Sequence, residues 1–260
     1  MGLGAFLAAA ALAASPQQYL ASRQLPNGAF AEAGGRADVT LTAWAVLALR
    51  AAGAPVDDGY VRTHESELQS PTDVALGVLA ERTPSESLLA RLQRLPAEQR
   101  VNATAWQLIA LAQAGRPLPR TSVRYLLAHQ TRGGGWSWAP GVAPDSNDTA
   151  ATIEALRAGG VGGRPISRGL AYLRRLQNRD GGFELTPGRG SDAQSTGWAI
   201  QAFLAAGVRP GRAAYGYLAR LRRPDGSYRY SWRYAVTPVW VTAQVLPALA
   251  RKPYPFGAGA

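Results

Sequence analysis

The chain of 260 residues contains no cysteine. Disulfides, thiolate metal sites, cysteine nucleophiles and an internal thioester are therefore excluded together. Histidine is almost as scarce, with only His64 and His129. That leaves too few soft ligands for a zinc centre, so no metal and no cofactor are expected. Lysine is reduced to Lys252, so 27 of the 28 basic residues are arginine, against 17 acidic residues and a net charge of +11. The arginines are spread along the chain. No basic stripe or recognisable module forms, which argues against nucleic acid as a partner. The charge reads first as biased composition on solvated outer helix faces; the sharper alternative is attraction to an anionic surface such as a lipid headgroup, a polyanion or a diphosphate, membrane-surface association included. The apolar run from Leu3 to Ala14 stops at twelve residues. That is too short to span a bilayer and about the length of the apolar part of a secretory signal. Ala11-Leu12-Ala13 offers small residues for cleavage, while Met1 to Gly4 lacks the usual basic residue. Residues 1–14 are read as a signal peptide or N-terminal anchor, with an extra core helix as the alternative. On the first reading the protein is extracytoplasmic, secreted or at the cell surface.

What is present reads as a soluble globular chain, with 47% hydrophobic and 17% charged residues. One domain over 15–252 is expected, followed by a Pro/Gly-rich tail over 253–260 that should fray. A repeat organises the domain. Tyr125–Gly160 runs from an amphipathic helix ending at Gln130, through a loop with Gly133, Gly134, Gly135 and Trp136, into an apolar helix opened by Asp145-Ser146-Asn147-Asp148-Thr149. The same order returns at Tyr19–Gly53, Tyr172–Gly207 and Tyr217–Lys252. Between them, residues 54–119 keep the helix pairs and lose the glycine loop. Thr104, Thr149, Thr196 and Thr242 recur at intervals of 45, 47 and 46 residues. Amphipathic first helices alternate with almost wholly apolar second helices, and that alternation describes an outer and an inner ring. The pattern predicts an all-α fold, an (α/α)6 toroid of six helical hairpins that closes on itself and needs no end caps.

The repeats resemble those of the terpenoid cyclase and protein prenyltransferase superfamily, the prenyltransferase/squalene-cyclase type. The resemblance is carried by Gln130 to Trp136 and Gln177 to Phe183, and more weakly by Gln24 to Phe30 and Arg222 to Tyr228. It implies that these turns clamp neighbouring outer helices, with Gln stacked on the aromatic. It also implies a place for chemistry. Class II cyclases carry Asp-x-Asp-Asp-Thr at the start of an inner helix, and the middle Asp protonates an alkene or epoxide. Here Asp145 to Thr149 matches except at Asn147, whose amide has no acidic proton to deliver to carbon. In the sister units Asp38 and Asp192 keep the first Asp alone, where capping and the helix dipole suffice to explain an acid.

Three functions are weighed. The first is an exported, non-catalytic binding module for an apolar ligand or a protein partner, read as a monomer. Its candidate ligand-binding residues are Asn147, Trp136, Trp138, Tyr230, Trp232, Tyr234, Asp38 and Asp192. The second is a small class II terpene cyclase-like enzyme acting on an isoprenoid, with Asp145 or Asp148 as the acid. The third, a carbohydrate-active toroid, needs two facing carboxylates. Asp145 and Asp148 lie three apart on one helix, which suits that poorly. Trp44, Trp106 and Trp198 recur two residues after the repeated Thr or its equivalent. They either wedge between the rings or present aromatic faces to a cation.

Overall fold

The computed structural model describes residues 14–96 and 100–256. The expected signal segment falls, except for Ala14, outside the described residues. Apolar second helices form the inner ring. They are α2 (Val39–Ala51), α4 (Pro71–Ala80), α6 (Val101–Gln113), α8 (Ser146–Ala158), α10 (Ala193–Ala205) and α12 (Pro238–Leu249). Each packs on the next, and α12 returns to α2. Amphipathic first helices lie outside: α1 (Pro16–Ala21), α3 (Gly59–Thr63), α5 (Glu86–Arg94), α7 (Arg120–Ala128), α9 (Arg164–Arg175) and α11 (Arg212–Leu221). The result is an α/α toroid. In α9 the division is plain: Ile166, Leu170 and Leu173 are buried, whereas Arg174 and Arg175 are exposed. An inner helix such as α2 buries Val46, Leu47 and Leu49 on all sides. Each such side chain contributes about 1.5–3 kcal/mol by leaving water.

The repeated residues explain themselves as joints. The hydroxyl of the repeated threonine accepts the backbone N–H of the repeat aromatic. The pairs are Phe30 with Thr42 (2.9 Å), Trp136 with Thr149 (2.9 Å), Phe183 with Thr196 (2.9 Å) and Tyr228 with Thr242 (3.0 Å). The loop is thereby pinned to its inner helix. The glutamine side chain donates to a glycine carbonyl of its own turn, Gln24 to Gly28, Gln130 to Gly134 and Gln177 to Gly181. Gln130 also donates to Pro165 O, at the start of α9. The clamp implied by the resemblance is thus made through hydrogen bonds.

The glycines let each turn lie flat on the next outer helix. Gly134 has φ +93° and would place a Cβ 2.6 Å from Arg168 O in α9. Gly181 has φ +86° and would place one 2.5 Å from Ala213 O in α11. Gly226 meets Ser15 O, the cap of α1, in the same way. Arginines seal these joints: Arg168 donates to Thr131 O and Arg132 O, Arg175 to Gly133 O, and Arg220 to Asp180 O. The turn before α12 therefore docks on the first helix of the chain. Arg222 donates to Ala14 O there, and Ala14 N to Pro224 O.

The tail departs from expectation. Tyr254 and Phe256 are only 2% and 4% exposed, and the Phe256 amide donates to Gln113 Oε1 (3.1 Å) at the end of α6. Tyr254 and Phe256 belong to the core because their two aromatic rings outweigh the turn-forming composition around them, while Arg251 and Lys252 stay exposed.

Candidate functional site at the loop face

The long loops join outer-helix C-termini to inner-helix N-termini, so they gather at one end of the toroid. Each also reaches back over the preceding inner helix. Trp138 O accepts from Asn102 N of α6, Leu185 O from Ser146 N of α8, and Tyr230 O from Ala193 N of α10. The loop of the first unit does this with a carboxylate. Glu32 accepts from Val239 N (3.0 Å) and Trp240 N (2.8 Å) at the start of α12. An anion at a helix N-terminus is favourable for the dipole and for the unpaired N–H groups.

The units without a glycine loop solve the same problem with side chains. Thr40 Oγ1 donates to Asp73 Oδ1 (3.3 Å), Thr72 Oγ1 to Asn102 Oδ1 (3.0 Å), and Asn102 Nδ2 to Asp148 Oδ1 (2.5 Å). This belt ties α2 to α4, α4 to α6 and α6 to α8. Asp148 is its last member. It is 7% exposed, and its own amide donates to the Asp145 side chain (2.8 Å), which caps α8. Burial, then the neighbouring Asp145 carboxylate, push the Asp148 carboxyl up to about 8. Asp145 and Asp148 are therefore brought together, and Asp148 keeps its proton at neutral pH. Asn147 is half-buried beside them, its Oδ1 accepting from Ser146 Oγ (3.2 Å).

The other sequence candidates separate. Asp192 is 2% exposed and occupied by Ser195, whose N and Oγ both donate to it (2.7 and 2.9 Å). Burial raises its carboxyl too. Asp38 is exposed and caps α2 through Leu41 N (2.6 Å). It borders an open cleft of about 590 Å³ together with Glu32, Arg36, Thr40, Trp44 and Trp240. Tyr230, Trp232, Tyr234 and Asp192 share a second cleft of about 530 Å³ with Arg189 and Arg233. Trp138, Trp232 and Tyr234 are 48%, 51% and 57% exposed. The Arg100 guanidinium lies 4.7 Å from the Trp138 ring. Trp136 needs correction as a ligand-facing residue. It is fully buried, with Nε1–H donating to Leu126 O (2.7 Å), because the repeat turn folds this ring inward.

The recurring tryptophans do not wedge between the rings. Trp44, Trp106 and Trp198 come from alternate inner helices and meet at the centre, with ring centroids 5.3, 5.5 and 6.1 Å apart. Tyr254 of the tail joins them, 5.8 Å from Trp106 and 5.9 Å from Trp198. Reading the sequence missed Glu32, Asn102 and Tyr254. Asn102 alone carried a signal, since it occupies in α6 the register that Asn147 occupies in α8. His64 and His129 end α3 and α7, each with Nδ1 on the carbonyl four residues earlier and its ring against a tyrosine. Among the described residues no group of three or more acidic or histidine side chains could hold a metal ion, and no helix is long and apolar enough to cross a membrane.

No sequence-family profile and no curated protein matches the chain. Solved structures do. The type II terpene cyclase MstE from Scytonema superposes with a TM-score of 0.53 at 17% identity, over 90% of this chain and 95% of that one. A wild-type glycosidase gives 0.64 at 12% identity, over 91% and 94%. An ent-copalyl diphosphate synthase from Streptomyces platensis gives 0.58 at 18% identity, over 82% of this chain and half of that one. The shared architecture agrees with the cyclase-like repeats, and by fold this chain is an α/α toroid of the kind found in type II terpene cyclases and in glycosidases.

Proposed function

We propose that the protein is an exported, non-catalytic toroid that binds an apolar ligand or a protein partner on its loop face. The observation that carries this reading is the aromatic plug at the centre of the inner ring, where three indoles and the Tyr254 ring pack against one another and leave an enclosed isoprenoid chain no place while Tyr254 is seated. Asn147 at the acid position agrees with it. The exposed side supports a binding role. Trp138, Val142, Trp232, Tyr234 and Val236, the exposed large hydrophobic side chains among the described residues, all lie on the loops at one end. Aromatic residues flanked by arginine are the usual anchors of recognition surfaces. Export rests on the apolar N-terminal run alone.

One observation favours a cyclase-like enzyme as the second reading. Asp148 keeps its proton at neutral pH, as an acid catalyst must. Native mass spectrometry and lipid extraction of the purified protein, compared with a Trp138→Ala/Trp232→Ala variant, test the first reading. A co-purifying species lost in the variant is expected. Incubation with squalene, farnesyl diphosphate and geranylgeranyl diphosphate tests the second. A cyclised product formed by the wild type and abolished by Asp148→Asn would replace the binding reading with the enzymatic one.

A further inference from the structure

Glu154 lies on α8 with no exposed surface, and neither carboxyl oxygen makes a hydrogen bond. Gln201 stands at the same register on α10, five residues beyond the repeated threonine, also with no exposure and with both polar atoms unpartnered. Gln244 on α12 accepts from Trp198 Nε1 (2.9 Å) and leaves its own Nε2 without a partner. Buried polar groups are nearly always hydrogen-bonded, so three neighbouring inner helices carrying such groups call for an explanation. Gln244 meets the indole cluster at Trp198, and Glu154 lies near Tyr254, which stacks on the same indole. The Tyr254 amide is close enough to Glu154 to favour its ionised form, although burial dominates and raises the carboxyl well above its ordinary value. The Tyr254 ring lies nearly parallel to Trp198 (29°), with Trp44 and Trp106 steeply tilted to it (73° and 64°).

We propose that the toroid lumen, closed by Tyr254 of the chain's own tail, becomes a binding site for a small organic ammonium ion when that ring withdraws, walled by Trp44, Trp106 and Trp198 and charge-paired by Glu154. The chemistry selects this ligand class. Aromatic faces attract a cation, and the attraction is strongest when water is excluded. A buried carboxyl group keeps its proton when alone and ionises at neutral pH only beside a partner of opposite charge, which a bound cation would supply. An uncharged isoprenoid would fill the space and leave Glu154 and Gln201 unsatisfied. A sugar needs polar partners around its whole rim, whereas here three walls are indole. A metal ion would have a single carboxylate. The gate is short: it follows α12 directly, and the hydrogen bond that the Phe256 amide N–H donates to Gln113 Oε1 fastens it two residues beyond Tyr254.

The test titrates wild type, Tyr254→Ala and Tyr254→Ala/Glu154→Gln with choline and with its uncharged isostere 3,3-dimethylbutanol, at constant ionic strength. Tryptophan fluorescence and calorimetry read binding. Tyr254→Ala should bind choline about ten-fold or more tighter than wild type does, and about thirty-fold tighter than it binds the alcohol. The double variant should lose that preference. Equal affinity for choline and the alcohol would reduce the site to an apolar hole and overturn the proposal. So would no binding by a Tyr254→Ala protein that still melts cooperatively. If Tyr254→Ala does not fold, the wild type decides. Choline near 100 mM should raise its melting temperature relative to sodium chloride and to the alcohol, and Glu154→Gln should abolish the difference. No such difference in the wild type overturns the proposal. Trp138→Ala/Trp232→Ala should leave all these values unchanged, which separates the lumen from the loop face.

Discussion

The two sides of the toroid reach one architecture by different means. From Thr121 through the last unit to Asp38, glycine turns lie on the next outer helix and main-chain carbonyls or Glu32 meet the inner-helix N-termini. Between Ala52 and Arg120 the turns are missing. There Arg50 donates to Leu79 O and Ala80 O at the end of α4, Arg91 to Glu65 O and Leu68 O, and Gln107 to Leu92 O and Leu95 O. Thr104 shows the change at a single residue. It keeps its bond to Arg100 O but has no loop amide to hold. Backbone joints demand glycine at fixed places. Side-chain joints demand long polar residues and tolerate a varied loop.

The largest effect is expected on the glycine side. Gly181→Ala places a Cβ against Ala213 O at positive φ and should cost about 4 kcal/mol, read as a lower midpoint in urea. Gly59→Ala on the other side, where a Cβ meets only the Asp57 side chain, should stay within about 0.5 kcal/mol. Equal losses would erase the distinction. Next is Arg50→Ala, which strips two carbonyls and a 3.6 Å partner from the buried Asp58. We expect a loss of about 3 kcal/mol by denaturant unfolding, while Arg168→Ala, whose acceptors are partly exposed, should lose about 1 kcal/mol.

The smallest effect concerns Asp148, where the two kinds of joint meet. Its folded carboxyl is raised to about 8, from an ordinary value near 3.8. Between those values the folded state binds more protons than the unfolded state, so stability falls as pH rises from about 4 to about 8. Glu81, pushed up to about 7, and the buried Glu154 act in the same direction. Asp148→Asn keeps an oxygen for Asn102 and carries no charge. It should gain about 2 kcal/mol at pH 8.5, or roughly 4–8 °C by calorimetry, and nearly nothing at pH 4. A variant destabilised at both pH values would show that the carboxylate itself holds the belt.

Much of the architecture was legible because the repeat writes the same joints four times. The inner helices begin within one residue of the positions set by Asp38, Asp145 and Asp192, since an Asp cap and an apolar run mark a helix start without reference to the rest of the fold. The repeated threonine was visible as a period, but its bond to the loop aromatic was not, because that contact spans a loop of thirteen or so residues. The candidate site was less legible. Asp145 to Thr149 resembled an acid motif, and only Asn102, in another unit, shows that Asp148 belongs to the belt. Trp136 and Trp138 stand two apart in one loop and face opposite ways, a difference set by the turn and not by composition. Tyr254 was obscured by the prolines and glycines around it.

The joint between the two ends of the chain has a kinetic consequence. Glu32 and Trp240 are 208 residues apart, and Arg222 and Ala14 are also 208 apart. Closing so long a span carries an entropy cost before any contact returns it, so such pairs form late. During synthesis α1 emerges before the other described helices and has no neighbour on its α12 side until α12 has been made. The first unit must wait, with its apolar face unmatched, for the last one to arrive.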